Sequence, residues 1–227
     1  MSKSLRQFEP RIDILPPAQR RLWPELGLTP PHFTLYGGTA LALRLAHRRS
    51  LDFDFFTGAS FSAERLLDQV AYLRRARVRQ RELNKLTCSV QRAGSIRLSY
   101  FGDLSLGQVD PAEIAQGPMI NVASLRDLAG TKLSIVTQRA EAKDYIDIHT
   151  LLTGARLPLA EMLACARAIF GPRFDPLPSL KALVYHDDPA LAALKPGVKT
   201  DLLAAIRTVD AARLPSIKPL RRPKAKT

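Results

Sequence analysis

The chain has 227 residues, 46% of them hydrophobic, and a formal net charge of +13. That length carries one substantial core or two modest ones and excludes a large multidomain machine. No apolar run approaches the ~20 residues of a membrane span and none follows the early positive charges, so a cytoplasmic protein with no membrane partner is expected. The charge makes a polyanion the natural partner, whether RNA, nucleotide or an acidic protein.

Residues 1–32 read as an irregular lead-in, broken by prolines, with one short helical stretch around Ala18 to Trp23. Phe33 to Tyr36 is a short apolar strand ending at the turn Gly37-Gly38, and Thr39 to Ala46 has the composition of a helix with Leu41 and Leu45 on one face. The polar connection His47-Arg48-Arg49-Ser50 leads into Leu51 to Phe56, whose strict alternation and aromatic content predict a strand. Ser62 is placed to cap a helix running to about Arg75. Val78 to Leu83 alternates next. Lys85 to Arg92 sets Leu86, Cys88 and Val90 on one face, and Ser95 to Phe101 returns across Arg92-Ala93-Gly94 as a hairpin. Loops are expected from Gly102 to Pro118. Ser124-Leu125-Arg126-Asp127 has the form of a capping box with Asp in the Glu position, starting a helix to about Arg139, and another helix spans about Ala142 to Leu152. Leu159 to Phe170, Leu177 to Tyr185 and Pro189 to Ala212 read as a small helical bundle. The tail 213–227 carries six positive charges and no acid, leaving +7 for the rest, and is expected to be a basic disordered end. Cys88 and Cys165 lack metal-ligand spacing and read as small core hydrophobes.

Chemistry concentrates at Asp52 and Asp54. Side chains two apart on a strand point the same way, so both carboxylates leave one face while Phe53 and Phe55 leave the other. Mg²⁺ is held by one or two carboxylates plus phosphate oxygens, so such a strand is a platform for phosphoryl chemistry; a solvated surface pair is the bland alternative. Gly37 and Gly38, at the start of a helix, let a phosphate approach backbone N–H groups, while Thr39 reads as a phosphate contact or only an N-cap. Farther on, Lys132 and Arg139 lie seven residues apart and Asp144 and Asp147 three apart, spacings that put each pair on one helical face, as phosphate ligands or as a charged surface. Arg77, Arg79 and Arg81 alternate, so a strand there puts three guanidiniums on one face, suited either to an RNA backbone or to protecting a sheet edge.

The segment Leu35-Tyr-Gly-Gly-Thr-Ala-Leu-Ala-Leu-Arg-Leu-Ala-His-Arg-Arg-Ser-Leu-Asp-Phe-Asp-Phe-Phe56 closely resembles the signature of the AbiEii/AbiGii toxin family, within the polymerase-β-like nucleotidyltransferase superfamily. Asp127-Leu-Ala-Gly-Thr-Lys132, continuing through Arg139 to Lys143-Asp144-Tyr-Ile-Asp147, resembles the family's second signature. The resemblance implies an α+β fold: a mixed sheet with flanking helices over 33–122 as the nucleotidyltransferase core, and a helical part over 123–212 that completes the active site. It implies Asp52 and Asp54 as metal ligands, Ser50 with Gly37, Gly38 and Thr39 at the nucleotide phosphates, Lys132 neutralising phosphate with Arg139, Asp144 as base or positioning group, and Asp147 as its brace. The superfamily's third carboxylate has only Asp103 and Asp110 as candidates.

The implied activity is Mg²⁺-dependent transfer of NMP from an NTP to an acceptor, an RNA such as tRNA, by the toxin of a toxin–antitoxin pair with a cognate antitoxin protein. The alternative is a catalytically silent nucleotide-binding or RNA-binding regulatory module.

Overall fold

The computed structural model describes residues 6–172 and 174–223. These divide into two compact units, the first made of the chain up to Leu104 together with Pro111–Ala123, the second of Ser105–Asp110 together with the chain from Ser124 onward.

The first unit is built on β1 (Gln7–Phe8), α1 (Pro17–Leu22), β2 (Thr34–Tyr36), α2 (Gly37–Leu45), β3 (Asp52–Phe56), α3 (Ala63–Gln69), β4 (Arg77–Glu82), β5 (Lys85–Gln91), β6 (Ser95–Phe101), β7 (Glu113–Ala115) and β8 (Ile120–Val122). The strands form one mixed eight-stranded sheet in the order β1-β7-β8-β2-β3-β6-β5-β4. β3 runs antiparallel to β2 and parallel to β6, and β6 forms the expected hairpin with β5. Within the loops expected from Gly102 to Pro118 the chain forms β7, which pairs with β8 just beyond them, and β8 adds to β2 in parallel. Each is three residues long, too short to show a period of two.

Register sorts the side chains by face. Phe53 pairs with Leu98 and Phe55 with Tyr100; Leu86 and Cys88 continue these rows and Leu35 flanks Phe55, so the apolar positions share one side, where the Phe55 and Tyr100 rings stack at 5.2 Å. The other side carries Asp52, Asp54, Arg97, Ser99, Thr87 and Ser89. The stretch read as a lead-in supplies Leu15, Leu22, Trp23 and Leu26 to the core. From the same stretch Thr29 meets the Tyr72 hydroxyl at 2.6 Å, and Tyr72 meets Tyr100 at 2.8 Å. α3 stops at Gln69, short of the expected Arg75, and a 3-10 turn over Ala71–Leu73 follows.

The second unit holds α4 (Leu125–Ile135), α5 (Ala142–Thr153), α6 (Leu159–Phe170), α7 (Pro176–Val184) and α8 (Pro196–Arg207). Ser124 caps α4 as its sequence predicts, its Oγ accepting from the Asp127 N–H at 3.0 Å. Asp127 also accepts from the N–H groups of Val109 and Asp110 at 2.9 and 3.0 Å, which ties Ser105–Asp110 to this unit. A Cβ on Gly130 would come within 2.8 Å of the Ala166 backbone nitrogen, so glycine sets the close crossing of α4 and α6. The tail, expected to be disordered, instead packs Ile217 against a core of Val109, Cys165 and Ile169, and Arg221 bridges Gln108 through backbone hydrogen bonds. Residues 224–227 of that expectation lie outside the described residues. No helix among the described residues is long and apolar enough to cross a membrane.

Candidate active site

The first cluster forms around α2 and β3. Gly37 and Gly38 are not a separate turn; they are the first two residues of α2, whose N-cap position, Tyr36, does not cap the helix through its side chain. Gly37 has φ +75°, a conformation that costs glycine little and other residues more. A Cβ built there would lie 2.8 Å from Asp54 Oδ2, so the carboxylate sits directly against the glycine. At Gly38 a Cβ would meet Arg48 Nη2 at 2.7 Å and Ser50 Oγ at 2.9 Å. The start of a helix, a hydroxyl and a guanidinium thus converge on one small space, the makings of an anion site. Thr39 is fully buried and donates its hydroxyl to the Asp52 carbonyl, fixing β3 to α2.

Asp52 and Asp54 are half-buried on the polar face and alternate with buried Phe53 and Phe55, as expected. Arg97, level with Asp52 on β6, forms an ion pair with its carboxylate; their side chains are 55% and 27% exposed. On this face β3, β5 and β6 offer two carboxylates only, since Ser99 and Thr87 stand level with Asp54. Asp103 lies beyond the end of β6, in a bend at φ +51° rather than on the strand. Asp110 belongs to the second unit and pairs with Arg126 at 3.3 Å. Among the described residues no group of three or more His, Cys, Asp or Glu side chains is arranged to hold a metal. Were Asp52 and Asp54 to hold a cation, phosphate and water would supply its other ligands, as they commonly do for Mg²⁺.

The second cluster joins α4 to α5. Lys132 Nζ lies 2.7 Å from Asp144 Oδ1 and 2.6 Å from Asp147 Oδ2, with the lysine side chain 4% exposed and both aspartates fully buried. Arg139 Nε reaches Asp144 Oδ2 at 2.9 Å while its side chain stays 44% exposed. Helix α4 ends at Ile135, a turn before the expected Arg139, so Lys132 and Arg139 meet at Asp144 through a bend of the chain rather than along one helical face. Burial alone raises the Asp144 carboxyl, but the Lys132 ammonium and the Arg139 guanidinium outweigh it and hold the group below the usual aspartate value.

The arginine row does not have its expected geometry. Strand β4 bulges between Val78 and Gln80, so Arg77 pairs with Ser89 while Arg81 pairs with Leu86. One extra residue reverses the alternation, placing Arg77 on the polar face and Arg81 on the apolar side, where it meets Glu64 at 3.4 Å. Arg79 falls within the bulge. Arg77, Ser89, Arg97 and Asp52 are consecutive partners across four strands, one line on the face that carries the aspartates.

Sequence reading passed over Arg48 and Arg97. Arg97 occupied a polar position of an alternating strand, but only the pairing of β3 with β6 brings it to Asp52. Arg48 lay in a polar connection with no periodicity to single it out.

The chain matches the family model described as Nucleotidyl transferase AbiEii toxin, Type IV TA system, over residues 25–218. An uncharacterized protein of Aquifex aeolicus (strain VF5) is 32% identical over 161 residues, 69% of this chain and 74% of that protein. A crystal structure from H. pylori assigned to the nucleotidyltransferases has the same fold, with TM-score 0.53 and 16% identity over 84% of this chain and 90% of that one. MenT4, a nucleotidyltransferase toxin of Mycobacterium tuberculosis H37Rv, overlaps to the same extent with TM-score 0.41 and 16% identity.

Proposed function

The chain belongs to the nucleotidyl transferase AbiEii toxin family and is a nucleotidyltransferase, and from that premise we propose that it uses Mg²⁺ to transfer an NMP from an NTP to an RNA acceptor such as tRNA. Its setting is the cytoplasm, as the toxin partnered by an antitoxin protein. The observation that supports this reading is the contact of the Asp54 carboxylate with Gly37 at the start of α2, which fits a cation-binding strand beside an anion site.

Asp52 and Asp54 would hold the cation, which when bound neutralises phosphate charge and orients the α-phosphorus for in-line attack. The α2 N-terminus, Ser50 and Arg48 receive the outer phosphates. Thr39 serves indirectly by anchoring the backbone of Asp52. The acceptor hydroxyl oxygen forms a bond to the α-phosphorus and gives up its proton to water, while the bond from that phosphorus to the α,β-bridging oxygen breaks and pyrophosphate leaves with that bond's electron pair. Positioning and electrostatics are the protein's main contributions.

We assign Asp144 a positioning role. A carboxyl held below its ordinary pKa by two cations is a poor proton acceptor, and its partners occupy both oxygens. Lys132, set between Asp144 and Asp147, braces α4 against α5, and Arg139 carries the cluster's positive charge to solvent, where it can meet phosphate. An RNA acceptor is supported by Arg77, which stands on the Asp52 face in line with it, three strand spacings or roughly 14 Å away.

The test is incubation of the purified protein with each α-labelled NTP, Mg²⁺ and total cellular RNA. Label should enter a discrete RNA species with at least one NTP, and EDTA should abolish incorporation. NTP binding without transfer from any of the four nucleotides to RNA would instead support the silent nucleotide-binding module.

A further inference from the structure

On the polar face of the sheet, the charge nearest Asp52 belongs to a side chain that no motif predicts. The Arg97 guanidinium bonds the Asp52 carboxylate from the neighbouring strand, and parallel register holds the two residues level. The arginine is the more exposed partner, at 55% against 27%, so its head can swing outward while Asp52 remains in place. Its neighbour on β5, Ser89, carries no charge that would compete for it.

A cation and Arg97 compete for that carboxylate. Arg97 engages Asp52 Oδ2, an oxygen that a divalent ion would also use, and two positive charges drawn to one carboxylate repel. A bound nucleotide resolves the conflict, because a triphosphate brings about four negative charges while one divalent cation removes only two. A guanidinium matches phosphate oxygens in geometry as well as in charge. With only two carboxylates on this face of β3, β5 and β6, phosphate charge that a bound cation leaves over falls to cationic side chains such as Arg97.

We propose that Arg97 is a nucleotide-binding residue that occupies Asp52 in the empty site and turns to the triphosphate when a divalent cation takes its place. The proposal rests on the assignment of Asp52 as a metal ligand. It makes cation and nucleotide binding cooperative: the cation alone binds weakly because it must displace Arg97, and the nucleotide then accepts the released guanidinium.

The test is Mn²⁺ binding to the full chain, followed by electron paramagnetic resonance without nucleotide, and NTP binding by calorimetry at saturating Mn²⁺. In Arg97→Gln, Mn²⁺ binding should tighten roughly two- to fivefold, the scale of a partly exposed ion pair. NTP binding should weaken roughly tenfold or more, the scale of a hydrogen bond to a charged group. Arg97→Lys should restore much of the NTP affinity, and thermal unfolding should report both variants as folded. Weaker Mn²⁺ binding in Arg97→Gln would overturn the proposal, since it would mean that the arginine orients Asp52 for metal. Unchanged NTP affinity, or a loss confined to RNA binding, would overturn it too. Asp52→Asn is the separate control: if it leaves Mn²⁺ binding intact, the metal assignment itself fails, whatever Arg97 does.

Discussion

Gly37 and Asp54 are in contact: the space a side chain would need at Gly37 is filled by the Asp54 carboxylate, whose Oδ2 lies 2.8 Å from the position of a Cβ. Gly37→Ala therefore has two effects. It strains a backbone at φ +75°, costing about 1 kcal/mol of stability, and it pushes the carboxylate proposed to hold the cation out of place. We expect kcat/KM for transfer to fall about a hundredfold, with a decrease in Tm of a few degrees. Gly38→Ala has no positive φ to strain and presses on Arg48 and Ser50 instead of Asp54, so it should lower Tm less and weaken NTP binding rather than cation binding. Mn²⁺ binding equally weakened in the two variants would argue against the contact with Asp54 as the cause.

Lys132→Ala leaves two fully buried aspartates facing each other without their shared cation. Removing one partner of a buried ion pair costs about 3–5 kcal/mol. Urea unfolding should show a loss of that size, and any decrease in activity should track the loss of folded protein. The triple variant Lys132→Met, Asp144→Asn, Asp147→Asn should recover much of the stability. A Lys132→Ala protein of unchanged stability but severely impaired NTP use would return Lys132 to direct phosphate contact.

Acid should expose the same cluster. The Asp144 carboxyl is lowered in the folded state, so the folded protein binds its proton less readily than the unfolded chain does. Its contribution to stability is present above the ordinary aspartate value of 3.8 and is lost as pH falls through the lower folded value. Stability measured from pH 7 to pH 2.5 should fall less steeply in Asp144→Asn than in the wild type below about pH 4. Parallel curves would contradict the assignment.

The bulge in β4 divides the arginines, and RNA binding should reveal the division. Arg77→Gln should weaken RNA binding and reduce its salt dependence by about one phosphate contact, whereas Arg81→Gln, on the apolar side beside Glu64, should change neither. Binding of NTP should survive both substitutions. Equal effects of Arg77→Gln and Arg81→Gln on the salt slope would restore a single basic face.

What the sequence made legible was local. Alternation placed Asp52 and Asp54 on one face, helical composition placed a helix directly after the two glycines, and a hydroxyl with a carboxylate three residues on marked the cap of α4. What it hid was set by partners distant in sequence. Strands β7 and β8 depend on pairing to β2 and to each other, and no period can show in three residues. Arg97 became part of the site only through the parallel pairing of β3 and β6. The alternation of Arg77, Arg79 and Arg81 was read without the bulge, a feature of the β4–β5 register that one strand's own pattern does not encode. The second signature was visible as spacing, but its burial was not, and burial turns a row of charges into a closed ion cluster.

The most direct test of the account is transfer activity in Asp52→Asn and Asp54→Asn, measured with labelled NTP, Mg²⁺ and RNA beside the thermal unfolding of each variant. Both substitutions preserve side-chain shape on a half-buried strand, so Tm should stay within a few degrees of the wild type. Each removes a carboxylate charge from the proposed cation site, so incorporation should fall to background. Near-normal, Mg²⁺-dependent incorporation by either folded variant would contradict the placement of the metal on β3.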